Sequence, residues 1–166
     1  MSNKKWIIIA AIVIFLLLSA KKVKAFDIIK VFEGERLKAY PDTAGIWTIG
    51  YGTTINPDTN KPIKEGDTID KPTAERWLKT DIEKRQYALG KLIKVPINAN
   101  QLAALTSLAY NIGLGAFQSS TLLRLLNQNK PKSEVADQFL RWNKINGKIS
   151  AGLTKRRQLE KELFLK

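Results

Sequence analysis

The stretch Phe26–Thr54, FDIIKVFEGERLKAYPDTAGIWTIGYGTT, constrains this chain more than any other, because its local pattern changes character twice within a short span. Phe26, Ile29 and Phe32 recur at helical spacing and should face a core, with Asp27 in the first turn, where the helix dipole favours an acid. Gly34 ends that helix, as glycine does after an apolar-periodic run. A polar loop then leads to Trp47–Thr54, which reads as a strand with Gly45, Gly50 and Gly52 as bends or close backbone approaches. Glu33, Asp42 and Thr48 sit at these transitions. In the last helical turn the backbone carbonyls disfavour an ionised carboxylate, so Glu33 is placed to keep the proton that a general acid needs. Asp42, in a Pro-Asp loop, is placed to stay solvated and ionised. A protonated and an ionised carboxyl, held by a helix end and a loop, form the acid and base pair of a glycosidase.

Absences narrow the chemistry further. The 166 residues include no Cys and no His, which excludes disulfides, thiol nucleophiles, the Ser-His couple and the His ligands of catalytic zinc. Nothing in the chain suggests a metal or a cofactor. Carboxylates, hydroxyls, amides and cations remain. The length suits one domain with a real core. Formal net charge is +13, and the five lysines of residues 1–25 leave +8 for residues 26–166. A basic body favours a polyanionic partner: nucleic acid, anionic lipid or an anionic cell wall.

Residues Trp6–Ala20, WIIIAAIVIFLLLSA, carry no charge and are flanked by Lys4, Lys5, Lys21, Lys22 and Lys24. This is a membrane-targeting pattern. As a helix it would span about 22 Å, short of a hydrocarbon core roughly 30 Å thick. It reads as the apolar region of a signal peptide, with cleavage after Val23-Lys24-Ala25, or as an uncleaved marginal anchor. The chain therefore divides into an export or anchor segment, 1–25, and a globular domain, 26–166. An exported domain makes nucleic acid an unsuitable partner.

Downstream, Asn56–Asp67 is rich in turn residues, so about Arg36 to Ile69 forms a small β lobe. Asp70 caps a helix with Pro72 in its first turn, running to about Leu89 and stopping near Gly90. Asn98 and Gln101 have capping-box spacing before an apolar helix that ends at Gly113, the central helix of a second lobe. Gly113 and Gly115 make a turn. Ser119 or Ser120 caps TLLRLLNQN, and Pro131 and Ser133 open EVADQFLRW. Gly147 and Gly152 bracket a polar loop, and Thr154–Phe164 closes the chain as a charged amphipathic helix. Trp77, Trp142 and Tyr87 read as core. The run Lys155, Arg156, Arg157 reads as a solvated helix face, or else as a contact for anionic wall polymers or lipid phosphate. Glu35, the nearest rival to Glu33, reads as solvent-facing.

With these residues placed, Phe26–Lys166 resembles the phage-type lysozymes, the endolysins of T-even and lambdoid phages. The resemblance is carried by Glu33, Asp42 and Thr48 at intervals of eight and five residues within EGERLKAYPDTAGIWTIGYGTT. ALTSLAYNIGLGAF, STLLRLLN, RW and GLTKRRQLEKELF follow in order. It implies an α+β fold with a small β lobe, a larger helical lobe and an active-site cleft between them, joined by the Asp70–Leu89 helix. It implies a monomeric muramidase that cuts the β-1,4 bond between N-acetylmuramic acid and N-acetylglucosamine in peptidoglycan and lyses the host cell. Glu33 would be the proton donor, Asp42 would stabilise the oxocarbenium-like transition state or position water, and Thr48 would orient the attacking water. Tyr110 and Ser120 lie where family members contact substrate. Many members carry His after the GxG of the strand, where this chain has Thr53. The N-terminus resembles the signal-arrest-release type, which host export machinery inserts in the inner membrane and which frees the enzyme into the periplasm on depolarisation. Two other readings stay open: a lytic transglycosylase acting on the same bond with one Glu and no water, and a non-catalytic membrane-tethered wall-binding module.

Overall fold

The computed structural model describes residues 24–42 and 44–166. The apolar run 6–20 lies outside them, and among the described residues no helix is long and apolar enough to cross a membrane. The first helix, α1, covers Ala25–Glu33 and buries Ala25, Ile28 and Ile29, while Phe26 and Phe32 pack partly buried against the same core. Gly34 closes it with its N–H on the Lys30 carbonyl, at φ 72°, a left-handed value that a side chain resists.

The polar loop expected between helix and strand is partly a strand itself. β1, Arg36–Pro41, pairs antiparallel with β2, Trp47–Gly50, with Tyr40 opposite Thr48 and an irregularity between Arg36 and Tyr40. Charged Arg36 and Lys38 alternate with half-buried Leu37 and Ala39, a period-2 pattern hidden in sequence by the surrounding polar residues. The strand expected to reach Thr54 stops at Gly50, where the chain turns tightly so that Ile49 and Thr53 exchange backbone hydrogen bonds. A small hairpin follows, β3 (Ile55–Asn56) with β4 (Lys61–Pro62). Asp58 at its tip takes both guanidinium nitrogens of Arg76, at 2.6 and 2.8 Å, and the Trp77 indole N–H. Arg76 first, then Trp77, hold its carboxyl down to about 2 and so staple the β lobe to the next helix.

That helix, α2, spans Lys71–Leu92, capped by Asp70 accepting from the Thr73 N–H. It runs through Gly90 rather than stopping there. A helical glycine costs about 1 kcal/mol relative to Ala, and tertiary bonds offset it. Leu89 is fully buried, and Asn127 donates to the Leu92 carbonyl while accepting from the Lys94 N–H. Trp77 is core as expected and Trp142 packs half-buried against the core, but Tyr87 is 70% exposed, with Lys91 over its ring one turn on. It lies on the solvent side of the connecting helix.

α3, Ala99–Ile112, has the expected capping box between Asn98 and Gln101. Ala103 through Ala109 are all buried, as befits a helix surrounded by others. The expected Gly113–Gly115 turn is instead a short helix, α4 (Leu114–Gln118), that seats Phe117 in the core. α5 (Thr121–Asn127) and α6 (Lys132–Asp137) follow, the latter continuing as a 3-10 turn, Gln138–Arg141. The expected polar loop is a hairpin of β5 (Lys144–Ile145) and β6 (Lys148–Ile149), turned by Asn146 and Gly147 at positive φ. Ser150 then caps α7, Ala151–Leu165, which begins earlier than expected and packs along α3. The architecture is α+β, with a small β lobe and a larger helical lobe around α3.

Candidate active site

Glu33 stands at the end of α1, half-buried, where elements from both lobes converge. Its Oε1 accepts a 2.7 Å hydrogen bond from Arg156 Nη1 on α7. Its Oε2 faces Gly52 of the β lobe, where an added Cβ would lie 3.9 Å from it and 3.8 Å from the Tyr110 hydroxyl. Gly52 has φ 102°, so both backbone conformation and the space beside the carboxyl favour a missing side chain there. Tyr110, on α3, donates from its hydroxyl to the Tyr51 carbonyl at 2.7 Å and so ties the helical lobe to this turn. Burial pushes its ionisation upward, keeping it a donor. The Arg85 guanidinium covers its ring at 4.8 Å.

Asp42 and Thr48 form a second group around one carbonyl. Asp42 Oδ1 accepts from the N–H groups of Ala44 (2.8 Å) and Ile46 (2.9 Å), and its own N–H donates to the Ile46 oxygen. The same oxygen takes the hydroxyl proton of Thr48 at 3.0 Å. Thr48 is 4% exposed, so with its proton spent, its oxygen can act only as an acceptor. The Pro41–Trp47 register of the hairpin holds both residues at one end of the β1–β2 pair. Ser120 is placed differently. Its buried hydroxyl accepts from the Leu123 N–H as the cap of α5 and donates to the Phe117 carbonyl, so it is engaged in local structure. Glu35 is exposed, and its oxygen accepts from the Tyr51 hydroxyl, which holds its carboxyl below the usual range.

The family profile for phage lysozyme matches residues 30–160. The chain belongs to the phage lysozyme family. It is 45% identical over 145 residues to an endolysin of Acyrthosiphon pisum secondary endosymbiont phage 1, covering 85% of this chain and 94% of that one. It is 38% identical over 133 residues to a SAR-endolysin of Enterobacteria phage P21, covering 80% and 77%. Among solved structures, the muramidase domain of SpmX from Asticaccaulis excentricus superposes with a TM-score of 0.76 at 34% identity, covering 86% and 95%. The lysozyme-like fold expected from the sequence is thereby shown.

Arg156 is the site residue that sequence reading missed. The run Lys155, Arg156, Arg157 was expected on a solvated face, yet only Lys155 is exposed, with Arg156 at 2% and Arg157 at 0%. Both turn inward because a buried acid, Glu160, lies one helical turn on. A signal for this does exist in the chain. Tracing the buried stripe of Leu159, Leu163 and Phe164 backward at helical spacing passes through Glu160 and Arg156. Thr53 pairs its backbone with Ile49.

Proposed function

We propose that this protein is a muramidase endolysin that hydrolyses the β-1,4 bond between N-acetylmuramic acid and N-acetylglucosamine in peptidoglycan and so lyses the host cell. The observation that carries this reading is the Glu33 carboxyl, clamped through Oε1 by Arg156 while Oε2 faces the side-chain-free space over Gly52. Glu33 Oε2 gives its proton to the glycosidic oxygen as the C1–O bond breaks. The Asp42 carboxylate, fixed by two backbone N–H groups, stabilises the positive charge that develops on the sugar. Thr48, an acceptor only, orients the water that attacks C1, and Asp42 takes that water's proton. Attack from the face opposite the leaving group inverts the anomeric carbon. Tyr110, whose hydroxyl flanks the same space over Gly52, borders the sugar. Ser120, whose hydroxyl is engaged at α5, is left out of the contact set.

The test is the chemistry of the released ends. Digestion of peptidoglycan by the full chain in detergent should give reducing N-acetylmuramic acid ends. Ends of 1,6-anhydro type would make the enzyme a lytic transglycosylase, and no release at all would leave a wall-binding module.

Residues 1–25 act as the export and anchor segment and 26–166 as the catalytic domain. Residues 6–20 engage the host export machinery and inner membrane, and the catalytic domain works in the periplasm as a monomer, tethered until release. The apolar run between flanking lysines supports this, as does likeness to a SAR-endolysin. Full-length chain should sediment with inner membranes under alkaline extraction and be open to protease from the periplasmic side. Recovery wholly in the soluble fraction would overturn the tether.

A further inference from the structure

The contact between Arg156 and Glu33 is one of several that the guanidinium makes. Its Nε donates to Glu160 Oε1 at 3.2 Å, and its Nη2 reaches the Ser107 carbonyl at 3.2 Å. Its central carbon lies 5.5 Å from the centroid of the Phe32 ring, one residue before Glu33. Glu160 is the hub beneath. Its side chain is 0% exposed, and Oε1 accepts from the Ser107 hydroxyl (2.6 Å), Arg156 Nε and Arg157 Nη2 (3.1 Å), while Oε2 lies 3.0 Å from Arg157 Nε. Burial pushes this carboxyl up, against the pull of Arg157 and Arg156.

A buried acid with two buried arginines is a poor way to gain stability. Apolar side chains of similar volume usually do as well or better. The neighbouring Leu159, Leu163 and Phe164 are core residues of that kind. The arrangement does give one thing that apolar residues cannot. A long arginine is fixed from below at Nε and Nη2, so that its remaining nitrogen, Nη1, meets Glu33 in one geometry. Glu33 needs such support, since it occupies the last turn of a helix that ends at Gly34.

We propose that Glu160 is a positioning residue for bond cleavage: it anchors Arg156, and Arg156 in turn holds Glu33 with Oε2 toward the space over Gly52. The inference rests on the reading of Glu33 as the proton donor. It assigns a functional role to a residue that is out of reach of substrate.

The test is a mutant cycle on the full chain in detergent, with soluble glycan strands as substrate and kcat and KM measured separately. Glu160→Gln is combined with Arg157→Met, which removes the two buried charges together and protects the fold. Arg156→Met, the triple variant and Glu33→Gln are assayed alongside, all well below their thermal midpoints. With Arg156 intact, the double substitution should lower kcat by about 10- to 100-fold, the scale of a misplaced catalytic group, with KM within about 2-fold. Added to Arg156→Met, it should change kcat by less than about 2-fold, because the path from Glu160 to Glu33 is already cut. A kcat that stays within about 2-fold of the unmutated enzyme, or falls by the same factor in both backgrounds, overturns the proposal. Cleavage that survives Glu33→Gln would instead overturn the reading of Glu33, and this inference with it.

Discussion

Glu33→Gln lowers the rate of glycan cleavage by about 10²–10⁴-fold, the usual contribution of a positioned general acid. The amide keeps the shape of the carboxyl and an oxygen to accept from Arg156 Nη1, so the thermal midpoint should hold nearly constant. It has no proton to give from the Oε2 position, which faces Gly52. The measurement is initial rate of reducing-end release from soluble strands, beside thermal unfolding of the same sample. A loss smaller than about 10-fold with the fold intact would show that Glu33 does not donate the proton. A comparable loss accompanied by a collapse of the thermal midpoint would show instead that the Glu33–Arg156 pair is chiefly structural.

Glu160→Gln has the largest expected effect on stability, a loss of about 3–5 kcal/mol, the cost of breaking a buried pair from one side. Arg157 and Arg156, at 0% and 2% exposure, would keep their charges and lose the carboxylate they share. Burial already lowers Arg157 to about 10, with Glu160 opposing the shift. Losing Glu160 removes that opposition while the guanidinium stays out of water. In a chain of this size the loss corresponds to a fall in thermal midpoint on the order of 10 °C. Adding Arg157→Met should recover most of it, because the unpaired buried charge is then gone. If the double variant is as unstable as the single one, the penalty comes from packing around residue 160 rather than from charge.

Much of this protein follows from local physics that can be read along the chain. Gly34 ends α1, Asp70, Asn98 and Ser120 cap helices as their side-chain acceptors dictate, and Asn98 with Gln101 closes a capping box. Those signals act within a few residues, so they are legible without the fold. The helix end that carries Glu33 and the strand that carries Thr48 were likewise readable, because neighbouring residues set both; β1 between them was not. Where local signals compete with distant contacts, packing settled the outcome. Gly90 stayed helical because Leu89 is buried and Asn127 binds the next turn. Gly115 joined a helix that seats Phe117.

The largest departure is at the end of the chain. Lys155, Arg156 and Arg157 look alike in composition, and charge alone sends all three to solvent. Arg156 reaches Glu33 across 123 residues of sequence, and the pull inward comes from Glu160 and Ser107, on two different helices. A buried charge is tolerable only where several partners meet it at once. Such a meeting is a property of packed helices: the helical spacing from Leu159 and Leu163 marks the face on which Arg156 lies, but not the partners on other helices that meet its charge.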